Sequence, residues 1–201
     1  MTIDGAQQYS CLIIPPFDAV SGNLPAGIHD ATWSELVARY GYTTHRLTLL
    51  AGLKAGLDAL KAAGCRRAYI NGSFVTFKVA PGDFDVCWEL AGVQVSLLDP
   101  VLLSFSNLRA AQKAKYLGEL FIAEANTDAI GTRYLDFFQL DRNGNKKGII
   151  AISLVLQRDV DLRLTSHGKE RRLKSCGGGL LRHFSVRCVP CDFSRRLVLT
   201  L

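Results

Sequence analysis

Apolar residues recur along this chain at two spacings, and turn residues mark where one spacing gives way to the other. Leu49, Leu50, Leu53, Leu57 and Leu60 stand three or four positions apart, which predicts a helix over 44–63 with one apolar stripe, closed by Gly64. His45 and Arg46 open that helix on what reads as a solvated face. Before it, "NLPAGIHDATWSELVARYG" reads as a loop entering a shorter helix. Thr32 and Glu35 have capping-box spacing there, and Gly41 suits a C-cap. Trp33 and Trp88 fall at apolar-periodic positions and are assigned to the core.

Short β-branched and aromatic runs supply the strands. "CLIIPPF" predicts a short strand ended by Pro15 and Pro16, since proline offers no donor to a ladder. "RRAYIN" predicts another, closed by Gly72, with Arg66 and Arg67 blunting an edge. "DFDVCWEL", "ELFIAEA" and "IIAISLVL" follow as strands, and "DPVLLSFSNLRAAQKAKYLG" as one helix with Pro100 in its first turn. "TRYLDFFQL" fits a short helix or a strand, and "DRNGNKKG" has turn chemistry. Helices and strands thus alternate, which predicts an α/β (α+β) fold: a small mixed sheet flanked by helices.

Charge changes the picture only once it is located. The 201-residue chain carries a net +6. Residues 1–153 hold 14 Lys and Arg against 14 Asp and Glu, whereas 154–201 hold 10 against 4. The whole excess therefore sits in the last stretch, which sets an expected boundary between a domain over 8–153 and a basic, Cys-containing tail over 154–201. No apolar run approaches the ~18 residues of a membrane span, and the first residues lack the basic leader of a secretion signal. Six cysteines in that setting fit reduced thiols and a cytoplasmic location. In the tail, Cys188-Val-Pro-Cys191 has the gap of a zinc knuckle, with Cys176 and His183 as further ligands. Such a module could present its charge to RNA; a poorly ordered basic extension, or unrelated sequence joined by a frameshift, is the competing reading.

The candidate chemistry lies in "YINGSFVTFKVAPGDFDVCWEL". Asp83 and Asp85 are two positions apart at the mouth of a strand, so they project to one face while Phe84 turns to the core. Two carboxylates so placed repel unless a cation joins them. Mg²⁺ (or Mn²⁺) suits the pair, because a hard dication takes oxygen ligands from one or two carboxylates plus phosphate oxygens. Gly72 and Ser73 supply a turn whose backbone a phosphate can approach closely. A Pro-Gly-Asp turn with solvated carboxylates is the competing reading.

"NGS", nine residues, then "DFD" at a strand start resembles the nucleotidyltransferase superfamily that includes DNA polymerase beta and bacterial antibiotic nucleotidyltransferases. "LPAGIHDATWSELVARYG" and "YLDFFQLDRNGNKKGIIAI" are similar to a bacterial family of unknown function assigned to that fold. The resemblance covers about residues 12–153. It implies transfer of a nucleoside monophosphate from a nucleoside triphosphate to a hydroxyl on a small molecule, protein or RNA end, in a toxin–antitoxin or defence setting by analogy. It implies Asp83 and Asp85 as metal ligands, Gly72 and Ser73 at the triphosphate, and a third carboxylate from a later strand. Glu119 is the first candidate for that acid, with Glu124 and Asp136 as alternatives. The Gly-Ser loop lacks the Arg-Gly of many active members, which leaves Lys78 as the phosphate-facing cation. A non-catalytic nucleotide- or partner-binding protein on the same fold is the second expectation. His29 is read as a loop histidine bonded to a carbonyl.

Overall fold

The computed structural model describes residues 14–155. Five strands form one mixed sheet: β1 (Gly27–Ala31), β2 (Arg67–Asn71), β3 (Phe84–Trp88), β4 (Gly118–Ile122) and β5 (Gly148–Ser153), in the order β1-β5-β2-β3-β4. The inner pairs β5–β2 and β2–β3 are antiparallel; the outer pairs β1–β5 and β3–β4 are parallel. The α/β class expected from the sequence is the class observed.

The helices are α1 (Trp33–Tyr40), α2 (Thr44–Ala62), α3 (Ser106–Tyr116) and the single turn α4 (Tyr134–Phe137). α1 starts on a complete capping box: the Thr32 hydroxyl accepts from Glu35 N, and the Glu35 carboxylate accepts from Thr32 N at 2.7 Å. The α2 leucine stripe is buried with Ala68, Ile70, Val86, Trp88, Ile150 and Ile152 in the main core. Alternate strand positions (Tyr69, Cys87, Phe121, Ile149 and Ala151) form a smaller core on the opposite face, closed by Phe138 and the α4 turn. The sheet therefore has two different faces, and strand alternation decides which residues meet on each.

Four readings of the sequence need correction. Gly27–Ala31, taken as loop, is edge strand β1; its Gly, His and Asp have poor strand propensity, but it pairs residue by residue with Gly148–Ile152, and Arg67 fastens Asp30 at 2.5 Å. Arg66 and Arg67, read as blunting an edge, instead lead into β2, an inner strand between β5 and β3; of the strand expected over "CLIIPPF", Cys11, Leu12 and Ile13 lie outside the described residues, and Ile14 is buried. The segment after Asp99 is not one helix. A 3₁₀ turn, Pro100–Leu103, is followed by α3, whose residues Asn107, Leu108 and Arg109 have φ of 50°, 52° and 56°. Just before the break, the carbonyls of Leu102 and Ser104 accept from the buried Gln112 amide, at 3.1 and 3.4 Å.

The fourth correction concerns Arg46, which is 0% exposed rather than on a solvated face. Its guanidinium donates to the carbonyls of Phe74, Thr76, Lys78 and Val79 and lies over the rings of Tyr42 and Phe74. Next to it, the His45 ring is 2.6 Å from the Pro81 carbonyl oxygen. The first turn of α2 thus holds the backbone of the loop that joins β2 to β3.

Candidate functional site at the β2–β3–β4 end

That loop separates the two sequence features of interest. At its start Gly72 has φ 78°, and a Cβ there would stand 2.3 Å from Asp85 Oδ2. Both facts demand glycine: the backbone is left-handed, and a carboxylate occupies the space a side chain would need. Ser73 opens a 3₁₀ turn, Ser73–Val75, and its carbonyl accepts from the Thr76 hydroxyl at 2.7 Å.

At the loop's end Asp83 immediately precedes β3, Phe84 is fully buried, and Asp85 lies on the face of the smaller core. The sheet register sets its neighbours. Asp85 faces Asn71 across the antiparallel pair and Glu119 across the parallel one. Asn71, Asp85 and Glu119 therefore stand abreast on one face, with Asp83 at their edge. Burial first, then Asp83 and Glu119, push the Asp85 carboxyl up to about 6, against the opposing pull of Lys147 and Lys113.

Three cations missed at the sequence level answer these acids. Lys113, on the last turns of α3, bonds the Glu119 carboxylate and lies 3.8 Å from Asp83 Oδ2; the hydrogen bond to Glu119 holds its ammonium pKa above the usual range. Arg109 stands 3.9 Å from Glu119 and stacks over Phe121 at 3.8 Å. Lys147, just before β5, is half-buried; burial lowers its pKa while Asp85 opposes the shift. No short-range pattern marks these residues, since each reaches the acids only through the packing of a different element.

The remaining candidates lie elsewhere. Glu124 accepts from Leu90 N at 3.2 Å, beyond the far end of β3. Asp136 lines a cleft of about 440 Å³ with Gln139, Lys146 and Lys147. Lys78 has an exposed side chain, and its carbonyl is the one Arg46 holds. His29 lies 2.7 Å from the Pro25 carbonyl. The zinc candidates Cys176, His183, Cys188 and Cys191, and the rest of the basic tail beyond 155, lie outside the described residues.

A divalent cation can be tested against this donor set. Asp83, Asp85 and Glu119 are hard oxygen donors, and the buried Asn71 Oδ1 has no hydrogen-bond donor among the described residues. That surplus of acceptors fits Mg²⁺ or Mn²⁺ in kind. As arranged, however, no three His, Cys, Asp or Glu side chains among the described residues are gathered to hold a metal. Lys113 takes up the acids instead.

No helix among the described residues is long and apolar enough to cross a membrane. Neither the curated proteins nor the solved structures provide a match to this chain. A family model does match, over residues 15–153, so the chain belongs to the Family of unknown function (DUF6932).

Proposed function

We propose that this chain is a metal-dependent nucleotidyltransferase, moving a nucleoside monophosphate from a nucleoside triphosphate to a hydroxyl acceptor. The observation that carries the reading is the register that sets Asp85 directly beside Glu119, with Asp83 one step away and the Gly72 backbone against the Asp85 carboxylate. In this reading Asp83 and Asp85 hold Mg²⁺ or Mn²⁺, and Gly72 and Ser73 receive the triphosphate. Glu119 takes the proton of the acceptor hydroxyl. A bound dication would supply charge neutralisation at the attacking and leaving oxygens. The buried, acid-crowded setting of Asp85 supports the assignment, because such a group gains most from a cation.

One observation favours a second reading. Lys113 already neutralises Glu119 and Asp83, as it would in a protein that keeps the fold but binds nucleotide or a partner without turnover. Thermal-shift titration with each nucleoside triphosphate, with and without Mg²⁺, separates the two. Stabilisation that needs metal and disappears in Asp83→Asn supports the transferase; nucleotide binding indifferent to metal supports the second reading; no response to any nucleotide refutes the transferase and the nucleotide-binding form of the second reading.

A further inference from the structure

The backbone that carries Lys113 is fixed by the packing of its neighbours. The neighbouring Gln112 is fully buried, and its Oε1 accepts from Leu120 N at 2.8 Å while its Nε2 holds the Leu102 and Ser104 carbonyls. This side chain ties α3 to the outer edge of β4. Leu117 then takes a left-handed conformation, φ 65°, and turns the chain directly into β4. Gly118 follows against the Phe84 ring, where a Cβ would lie 2.4 Å from its Cε2. On the other side Gly52 of α2 admits the Tyr116 carbonyl, which a Cβ would meet at 2.0 Å. The end of α3 is thus gripped from three directions, and the next side chain, Lys113, is presented to Glu119 and Asp83.

The acid group it meets is not satisfied by this one ammonium. Asn71 is only 6% exposed, its Oδ1 has no donor among the described residues, and it is the cross-strand neighbour of Asp85 on the same face. Asp85 has no ion-pair partner within 4.0 Å among the described residues, whereas Glu119 has two. Lys113 and Arg109 therefore pair on the Glu119 side, Lys147 acts on Asp85 only from beyond ion-pair distance, and oxygen acceptors are left over at Asn71 and Asp85.

We infer that Lys113 is a built-in counter-ion of this site, which a divalent cation must displace before Asp83, Asp85 and Glu119 can act together. The inference rests on the metal site of the reading above and adds its regulation. A monovalent ammonium on a flexible stem satisfies Glu119 and Asp83 and holds the acids together while the site is idle. A dication brings twice the charge and can also take the leftover oxygens, so exchange is favourable once metal is abundant. In this way Lys113 sets the metal concentration at which the site becomes competent.

The test is Mn²⁺ binding to the full chain at fixed pH and ionic strength, read as loss of the free-ion electron paramagnetic resonance signal with no nucleotide present. Lys113→Met and Lys113→Gln should each bind Mn²⁺ roughly tenfold more tightly than the wild type, since a cation about 4 Å from a carboxylate is removed from the competition. Lys113→Arg, which keeps the charge, and Lys54→Met, which deletes an exposed lysine paired with Asp58, should stay within about twofold of wild type. Circular dichroism establishes that each variant is folded, and either neutral variant suffices. Equal or weaker Mn²⁺ binding in the neutral variants, with the wild type still binding, overturns the counter-ion and leaves the metal site standing. A comparable gain in Lys54→Met also overturns it, by reducing the effect to net charge. Absence of Mn²⁺ binding in every variant overturns the inference together with the metal site.

Discussion

Arg46 Nη2 donates to the carbonyl oxygen of Lys78 at 2.6 Å, across 32 residues of sequence. With the carbonyls of Phe74, Thr76 and Val79, this contact makes one buried guanidinium the organiser of the loop between Gly72 and Asp83. No carboxylate lies within ion-pair distance of Arg46 among the described residues, so the charge is stabilised by carbonyl dipoles and ring faces alone. Arg46→Lys keeps the charge but not the fork of donors, and it leaves several carbonyls without a partner. It should lower unfolding stability by roughly 2–4 kcal/mol in urea denaturation. Amide exchange in residues 74–80 should accelerate more than that of the α2 core.

Gly72 and Asp85 form a second dependent pair. Gly72→Ala meets two separate penalties: a left-handed backbone, about 1 kcal/mol, and the Asp85 carboxylate in the space of the new methyl. Together they should destabilise by roughly 2–3 kcal/mol. The two can be separated by a double-mutant cycle. In an Asp85→Ala background the carboxylate clash vanishes and only a 3.2 Å approach to the backbone N of residue 85 remains, so Gly72→Ala should then cost less, about 1–1.5 kcal/mol. Equal costs in both backgrounds would show that the carboxylate does not occupy that space.

The parts of the fold read correctly from sequence are those whose cause is local. The α2 stripe lies within about three helical turns and the Thr32–Glu35 capping box within one. β1 was missed because its strand state comes from Gly148–Ile152, more than a hundred residues on, rather than from "GIHDA". Arg46 was misread for the same reason, since nothing around it announces the carbonyls it will meet. The site divides likewise. Gly72, Asp83 and Asp85 were visible as a turn and an i, i+2 pair. That Glu119, and not Glu124 or Asp136, stands beside Asp85 depends on strand register. Lys113 and Lys147 arrive by tertiary packing and left no mark at all.

Asp85 makes stability depend on pH in a defined direction. Its carboxyl titrates near 6 in the folded chain against an ordinary value of 3.8. Between these values the folded state holds the proton more tightly than the unfolded state does. Stability from this group therefore falls as pH rises through the window and stays lower above it. Asp85→Asn removes the penalty. The variant should be more stable than wild type by roughly 1–3 kcal/mol at pH 7.5, and the gap should close below about pH 4. Thermal melts of both proteins across that range check it. If Mg²⁺ binds as proposed, adding it at pH 7.5 should stabilise the wild type and narrow the gap.

Gln112 offers the sharpest test of how the site is supported from outside. It touches none of the acids, yet its amide makes three bonds to main chain: donors to Leu102 and Ser104, and an acceptor for Leu120. Gln112→Leu conserves bulk and removes all three, leaving the Leu102 carbonyl and the Leu120 N–H in a buried setting without partners. A loss of roughly 2–4 kcal/mol is expected in urea denaturation. The direction of the second effect discriminates more. Once α3 is no longer tied to the β4 edge, Lys113 should be held less firmly on Glu119. Its amine should then be modified faster by a lysine-directed acylating reagent, while Lys54 reacts as before. Lost stability with unchanged Lys113 reactivity would mean that the ammonium finds the acids without help from Gln112. Placement of the charge would then rest on Leu117, Gly118 and the Gly52 contact alone.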